Sequence, residues 1–208
     1  MMPTQRSSEA DPDASTRRFY RAHADEYARR TLAADVSHLY PPFLRLLKPG
    51  AEILDIGCGA GRDILAFRKR GFNAWGMDAS PELARLAHQL TGARVDTGKI
   101  EELDLGATVD GIWACASLLH LARRKLPLAL DRIAATLGAG GIFFASMQEG
   151  AGDSVDPDGR FFALYDQSQF SELVASAGFE LLAAWTTSDS LPGREGPEWI
   201  NLLSRKAS

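Results

Sequence analysis

Hydrophobic positions along this chain fall into two alternating rhythms. Short, near-continuous apolar runs end in glycine or an acid, and longer stretches repeat their apolar residues every three to four positions. The first rhythm marks strands buried on both faces, the second amphipathic helices. Glu52–Ile56, Phe72–Met77, Ala93–Asp96, Asp110–Cys115 and Ile142–Met147 read as five successive strands. Helical spacing follows from about Ala60 to Arg70, stopping at Gly71, and again through Leu83, Leu86, Ala87 and Leu90 to Gly92. Ser80-Pro81-Glu82 supplies that second helix with an N-cap, a first-turn proline and a first-turn acid. Leu126, Leu130, Ile133, Ala134 and Leu137 mark a third helix, and Phe170, Leu173, Val174 and Ala177 a fourth, ended by Gly178. Phe179–Thr187 and Trp199–Ser204 are the last two strands. Their link, SDSLPGREGPE, has no helical pattern, so the two should pair antiparallel. The stretch EGAGDSVDPDG after strand 5 reads as loop.

Ahead of strand 1 the pattern changes. Residues 1–15 are polar and expected to be a disordered tail. Thr16 to about Thr31 turns helical, with Phe19, Tyr20, His23, Tyr27 and Ala28 roughly on one side. A second short helix is expected over Asp35–Leu47, interrupted by Pro41-Pro42. The organisation expected is a single domain over 16–208, with a helical cap over 16–50 and an α/β core over 51–208.

Composition narrows the class. A chain of 208 residues, 45% apolar and 24% charged, suits one globular core. A net charge of -4 argues against a broad cationic footprint on nucleic acid. The two cysteines, Cys58 and Cys115, have no metal-ligand spacing, so no zinc site or disulfide framework is expected. No apolar run approaches the ~20 residues of a membrane span, and the start carries no apolar signal core. A cytoplasmic protein without membrane contact, monomeric or homodimeric, is the expectation.

The candidate chemistry lies at Ile53-Leu54-Asp55-Ile56-Gly57-Cys58-Gly59-Ala60-Gly61-Arg62-Asp63. A strand runs into a glycine-alternating turn and then a helix, the grammar of a nucleotide-binding α/β unit. Arg62 stands where a dinucleotide fingerprint needs glycine, and no Walker-A lysine follows. Asp55 would repel a phosphate but suits a ligand with an ammonium or sulfonium. Asp78, ending strand 2, can accept hydrogen bonds from both ribose hydroxyls of an adenosine.

This combination resembles the class I S-adenosylmethionine-dependent methyltransferases, and the likeness runs from about Phe19 to Lys206. LDIGCGAGRD is similar to the family's first motif, carrying Asp55, Gly57, Cys58, Gly59 and Arg62; GMDASPELARLA is similar to its second, carrying Asp78 and Ala79. The resemblance implies that Gly98 to Leu103, with Ile100 and Glu101, holds the adenine. Lys99 departs from the family's usual acid, leaving Glu101 or a backbone carbonyl for the adenine amine. DGIWACASLLHL resembles the fourth motif, with Cys115 beside the methionine portion and His120 in the LxH position. The implied fold is a Rossmann-like seven-stranded sheet of order 3-2-1-4-5-7-6, with strand 7 antiparallel and helices on both faces.

Within the class the chain looks most like small bacterial tellurite, thiopurine and general small-molecule methyltransferases, whose N-terminal helix brings aromatic residues near the cofactor. Tyr20 and Tyr27 stand where that pattern falls. The DNA-amino motif is absent, since Cys115-Ala116-Ser117-Leu118 replaces it, and so is the Pro-Cys nucleophile of cytosine-C5 methylation. The resemblance therefore implies S-adenosyl-L-methionine as cofactor and a small-molecule methyl acceptor, with Tyr20 and His120 as candidates for proton removal. An RNA-directed enzyme of the same class, or a cofactor-binding protein without turnover, is the alternative. Arg160, Phe161, Phe162 and Tyr165 follow the loop after strand 5, where this family's substrate-facing elements lie. An arginine among aromatics would suit an apolar acceptor carrying an anion; a loop packing its aromatics into the core would explain them too. Arg194 and Trp199 are a lesser candidate pair.

Overall fold

A computed structural model describes residues 12–190 and 196–207 of the chain. Its strands are β1 (Glu52–Ile56), β2 (Asn73–Asp78), β3 (Val95–Thr97), β4 (Val109–Cys115), β5 (Leu137–Gln148), β6 (Gly152–Val155), β7 (Phe161–Leu164), β8 (Phe179–Thr187) and β9 (Trp199–Lys206). Its helices are α1 (Pro12–Leu32), α2 (Tyr40–Leu44), α3 (Arg62–Lys69), α4 (Pro81–Thr91), α5 (Leu126–Thr136) and α6 (Gln167–Ser176). Seven strands form one sheet in the order β3-β2-β1-β4-β5-β9-β8, in which β1 to β5 are parallel and β9 runs antiparallel to both neighbours. This is the expected order 3-2-1-4-5-7-6, with β8 and β9 as its sixth and seventh strands.

Strand alternation divides the core between the two faces of the sheet. Ile53, Trp113, Phe144 and Leu203 face α2, α3 and α4 through Tyr40, Phe43, Ile64, Phe67 and Ala87. Leu54, Ile112, Phe143 and Leu202 face α5 and α6 through Leu130, Ile133, Phe170 and Val174. Ser80 caps α4 as expected, its hydroxyl accepting from the Leu83 N–H at 3.3 Å, and Gly92 closes that helix at φ 65°.

Several expectations need correction. EGAGDSVDPDG is not all loop, because β6 within it pairs antiparallel with β7. All four β6 residues are exposed, so they carry no apolar alternation to read. β5 begins at Leu137, not Ile142, and runs through the glycine cluster directly out of α5. Pro41 and Pro42 do not interrupt a helix over Asp35–Leu47 but start α2, after a 3₁₀ turn at Ser37–Leu39. Proline lacks an N–H, and a first turn needs none. The same preference starts α1 at Pro12, inside the stretch expected to be disordered, while residues 1–11 lie outside the described residues. α1 is broken at His23, where φ is -123° and ψ 22°. Arg21 in its first half pairs with Glu82 in the first turn of α4, at 3.1 Å. That places α1 beside the C-terminal ends of the parallel strands, where open α/β sheets bind ligands.

Candidate active site

After β1 the chain turns through Gly57 and Gly59 at φ 67° and 55°. A Cβ on Gly57 would lie 2.3 Å from Ser117 Cβ, so only glycine lets the β1 and β4 loops close on each other. The N–H groups of the turn are engaged inside the protein. Those of Gly57 and Cys58 donate to the Met77 carbonyl at 2.8 and 3.1 Å, and that of Gly61 to the Cys58 carbonyl at 3.0 Å. The Gly59 N–H donates to Asp78 Oδ2 at 2.9 Å. A phosphate would meet committed donors and buried acids here.

Three buried carboxylates lie around the turn, each in a different state. Asp63 receives Arg62 at 2.7 and 2.9 Å, the Tyr40 hydroxyl at 2.7 Å and Trp113 Nε1 at 2.8 Å. Burial pushes its pKa up, but Arg62 and these bonds hold it below the ordinary value. Asp55 is also buried, and among the described residues its Oδ2 has no hydrogen-bond partner. Burial, and then the charge of Asp63, raise its pKa well above the carboxylate range. Asp78 is pushed up to about 6 by burial, against the N–H groups of Ser80 and Gly59 that favour its charged form.

Two cavities meet at this turn. One, of about 140 Å³, extends from Gly57 and Gly59 past Asp78, Ala79 and Met77 to Ile100 and Glu101. The other, of about 480 Å³, lies over Cys58, Arg62, Cys115, Ser146 and Asn201, beneath Arg160 and Phe162. Tyr20, Tyr27 and His120 line both. The Tyr20 hydroxyl lies 2.7 Å from His120 Nε2, and His120 Nδ1 lies 2.7 Å from the Phe161 carbonyl. A carbonyl only accepts, so in the neutral ring Nδ1 carries the hydrogen and Nε2 accepts from Tyr20. Burial, followed by the neighbouring Tyr27, raises the Tyr20 pKa well above its usual value and keeps it a donor.

The group that fits the turn is a cationic adenosyl compound. The free lone pairs of Asp78 suit paired hydroxyls, the buried acids Asp55 and Asp63 beneath the turn oppose an anion, and the N–H groups of Gly57, Cys58, Gly59 and Gly61 are already engaged. Known proteins bear this out: a methyltransferase-domain family profile matches residues 24–184. The chain belongs to that family. S-adenosylmethionine is the methyl donor of this class.

Among solved structures, the chain shares its fold with the 1,6-didemethyltoxoflavin-N1-methyltransferase of Burkholderia thailandensis, at 23% identity and a TM-score of 0.76 over 99% of this chain and 94% of that one. It is 26% identical to a TehB-like SAM-dependent methyltransferase of Corynebacterium glutamicum, with a TM-score of 0.69 over 89% of this chain and 98% of that one. A ubiquinone biosynthesis O-methyltransferase of Xanthomonas campestris is 33% identical over 107 residues. That match covers 49% of this chain, which spans only 45% of the length of that relative.

Most residues singled out in the sequence converge on the two cavities. Asp55 lies buried below the turn, lining neither. Arg62 faces the larger cavity with its guanidinium committed to Asp63 and, at 3.4 Å, to the Thr31 carbonyl. Lys99 turns its ammonium to Glu102 at 3.1 Å, while Glu101 at the smaller cavity pairs with Lys125 at 3.2 Å. The four candidates after strand 5 divide. Strand alternation in β7 leaves Phe162 at the larger cavity beside Arg160 and turns Phe161 inward, where Tyr165 is also buried. Phe161 and Tyr165 are therefore core residues. Arg160 is bound by Asp156 at 2.6 Å, so its charge is already matched. Trp199 lines the larger cavity, and Arg194 lies outside the described residues. Sequence reasoning missed Ser146 and Asn201, polar residues in apolar strands with no motif around them, and gave Ser117 no role although it lies within DGIWACASLLHL.

Proposed function

We propose that the chain transfers the methyl group of S-adenosylmethionine to a small-molecule acceptor held in the larger cavity. One observation carries this reading: two cavities of different chemistry join at Tyr20 and His120, and the joint is lined by groups suited to moving a proton. The smaller one is bounded by the glycine turn, Asp78 and Glu101, which would hold the nucleoside. The methionine end would cross the glycine turn toward Tyr20 and Tyr27, with Asp55 buried beneath that turn rather than in contact with it. When bound, the cofactor supplies a sulfonium-linked methyl carbon open to in-line displacement.

The protein's own contribution is mainly positioning, which can be worth ~7–11 kcal/mol of barrier. Tyr27 and Tyr20, from the two sides of the break at His23, wall off the joint between the cavities. An acceptor O–H or N–H gives its proton to the Tyr20 oxygen while the Tyr20 hydrogen passes to His120 Nε2. The Phe161 carbonyl then holds the resulting imidazolium at Nδ1. A small acceptor is also supported by the roof of β6, β7 and α1 over the larger cavity and by the net charge of -4, neither of which suits an RNA duplex.

The test is incubation with methyl-labelled S-adenosylmethionine and a panel of phenols, aromatic amines, heteroaromatic N–H compounds and thiols, read by mass spectrometry. Label in a panel member is the expected result. Tight binding of S-adenosylhomocysteine with no transfer to any member would favour a cofactor-binding protein without turnover.

A further inference from the structure

The larger cavity has a polar floor beyond the glycine turn. Cys115 of β4 pairs with Ser146 of β5, Ser146 with Asn201 of β9, and Asn201 with Trp185 of β8. Paired residues share a face, so these four side chains form one row across the sheet, directly beyond the Trp113, Phe144 and Leu203 row of the core. Ser146 is committed: its hydroxyl accepts from the Ala116 N–H at 2.9 Å and approaches Cys115 Sγ at 3.6 Å.

Asn201 is different. Its Nδ2 group lies 3.2 Å from the Trp199 carbonyl, 3.5 Å from the Trp185 carbonyl and 3.0 Å from Thr187 Oγ1. Two of these partners are carbonyls that only accept, which fixes the nitrogen on their side and rules out the flipped amide. Asn201 is fully buried, lines the larger cavity, and among the described residues its Oδ1 accepts no hydrogen bond. A buried amide oxygen held by its own NH2 group and left without a donor is a receptor for one. The charges lining this cavity balance: Arg30, Arg62 and Arg160 against Asp63, Asp156 and Asp189. Arg62 and Arg160 are each bonded to an acid of that set. An anionic acceptor would find Arg62 and Arg160 already matched, contrary to what Arg160 among aromatics suggests in the sequence, while Arg30 is exposed and lies over the Tyr27 ring at 5.6 Å. Phe162, Trp199, Tyr20 and Tyr27 offer flat apolar surface.

We propose that Asn201 selects the acceptor: its Oδ1 accepts a hydrogen bond from an N–H or O–H group on an uncharged aromatic molecule in the larger cavity. The assignment rests on reading that cavity as the acceptor site. A site built to bond such a group discriminates strongly against an analogue lacking it, because the oxygen would stay buried and bare.

The probes are matched pairs, 2-pyridone against N-methyl-2-pyridone and phenol against anisole, titrated by calorimetry or NMR into protein saturated with S-adenosylhomocysteine. Wild type should bind the donor member of a pair about tenfold or more tightly. Asn201→Leu should abolish that preference while its S-adenosylhomocysteine affinity stays within about threefold, and Asn201→Ala serves as second variant if the leucine does not fold. Equal binding of both members by wild type, binding of neither, or a preference that survives in the variant overturns the proposal. Failure of S-adenosylhomocysteine itself to bind would instead overturn the methyltransferase reading.

Discussion

The Tyr20 hydroxyl and His120 Nε2 meet at 2.7 Å across 100 residues of sequence. The contact ties α1 to the loop after β4 where the two cavities join. Tyr20→Phe keeps the ring that packs on Tyr27 at 4.8 Å but removes the proton path. It should slow transfer to an O–H or N–H acceptor about 100-fold and leave S-adenosylhomocysteine affinity nearly unchanged. Transfer to a thiol acceptor, which is partly ionised already, should suffer much less. Comparing rates on the two acceptor classes checks this.

Asp78 makes cofactor affinity depend on pH. Its folded-state pKa of about 6 lies above the ordinary 3.8. S-adenosylhomocysteine affinity should be flat above about pH 7 and fall as the carboxylate protonates below about pH 6, since two ribose hydroxyls need its lone pairs. In the ligand-free protein the sign is opposite. The folded state holds a proton that the unfolded chain has lost between about pH 4 and 6, so this group's contribution to stability declines as pH rises through that window. Calorimetry with ligand, and denaturant unfolding without it, separate the two slopes.

Gly57 carries both a left-handed backbone and a contact that admits no Cβ. Gly57→Ala should cost about 2–4 kcal/mol, or about 5–10 °C in Tm for a domain of this size. Gly50 has a similar φ of 76° with nothing within 4 Å of its virtual Cβ. Gly50→Ala should therefore cost only about 1 kcal/mol. Thermal melts of the pair isolate the contact from the backbone strain.

Arg62 is the cation that lets Asp63 stay ionised in the core. Arg62→Met leaves a buried charge held only by Tyr40 and Trp113, and should destabilise by about 3 kcal/mol at neutral pH. Asp63 has a folded pKa below the ordinary 3.8, so its contribution is present above that value and lost as pH falls through the lowered one. The variant should lose that acid-side slope. Denaturant unfolding at about pH 7 and about pH 3 measures both.

Much of this was legible in the residues because period and punctuation agree. Ile53 on one face and Leu54 and Ile56 on the other give β1 apolar residues on both sides, interrupted only by Asp55, so the strand reads as interior. Arg62 in place of glycine, with Asp55 before the turn, argues against a phosphate ligand from the sequence alone. The engaged N–H groups of Gly57, Cys58 and Gly59 give the physical reason, which no sequence pattern carries. Pairings between distant segments were not legible either. Arg160 reads as a free cation until Asp156 is found bonded to it, and Asn201 reads as a polar residue out of place in LLS-type strand sequence. β6 escaped because an exposed edge hairpin has no apolar period.

Calorimetric titration of S-adenosylhomocysteine into wild type and Asp78→Ala tests the central claim most directly. Loss of hydrogen bonds to a charged acceptor should weaken binding at least about 30-fold in the variant, while the wild type binds one equivalent. No binding by wild type, or undiminished binding by Asp78→Ala, would contradict the account.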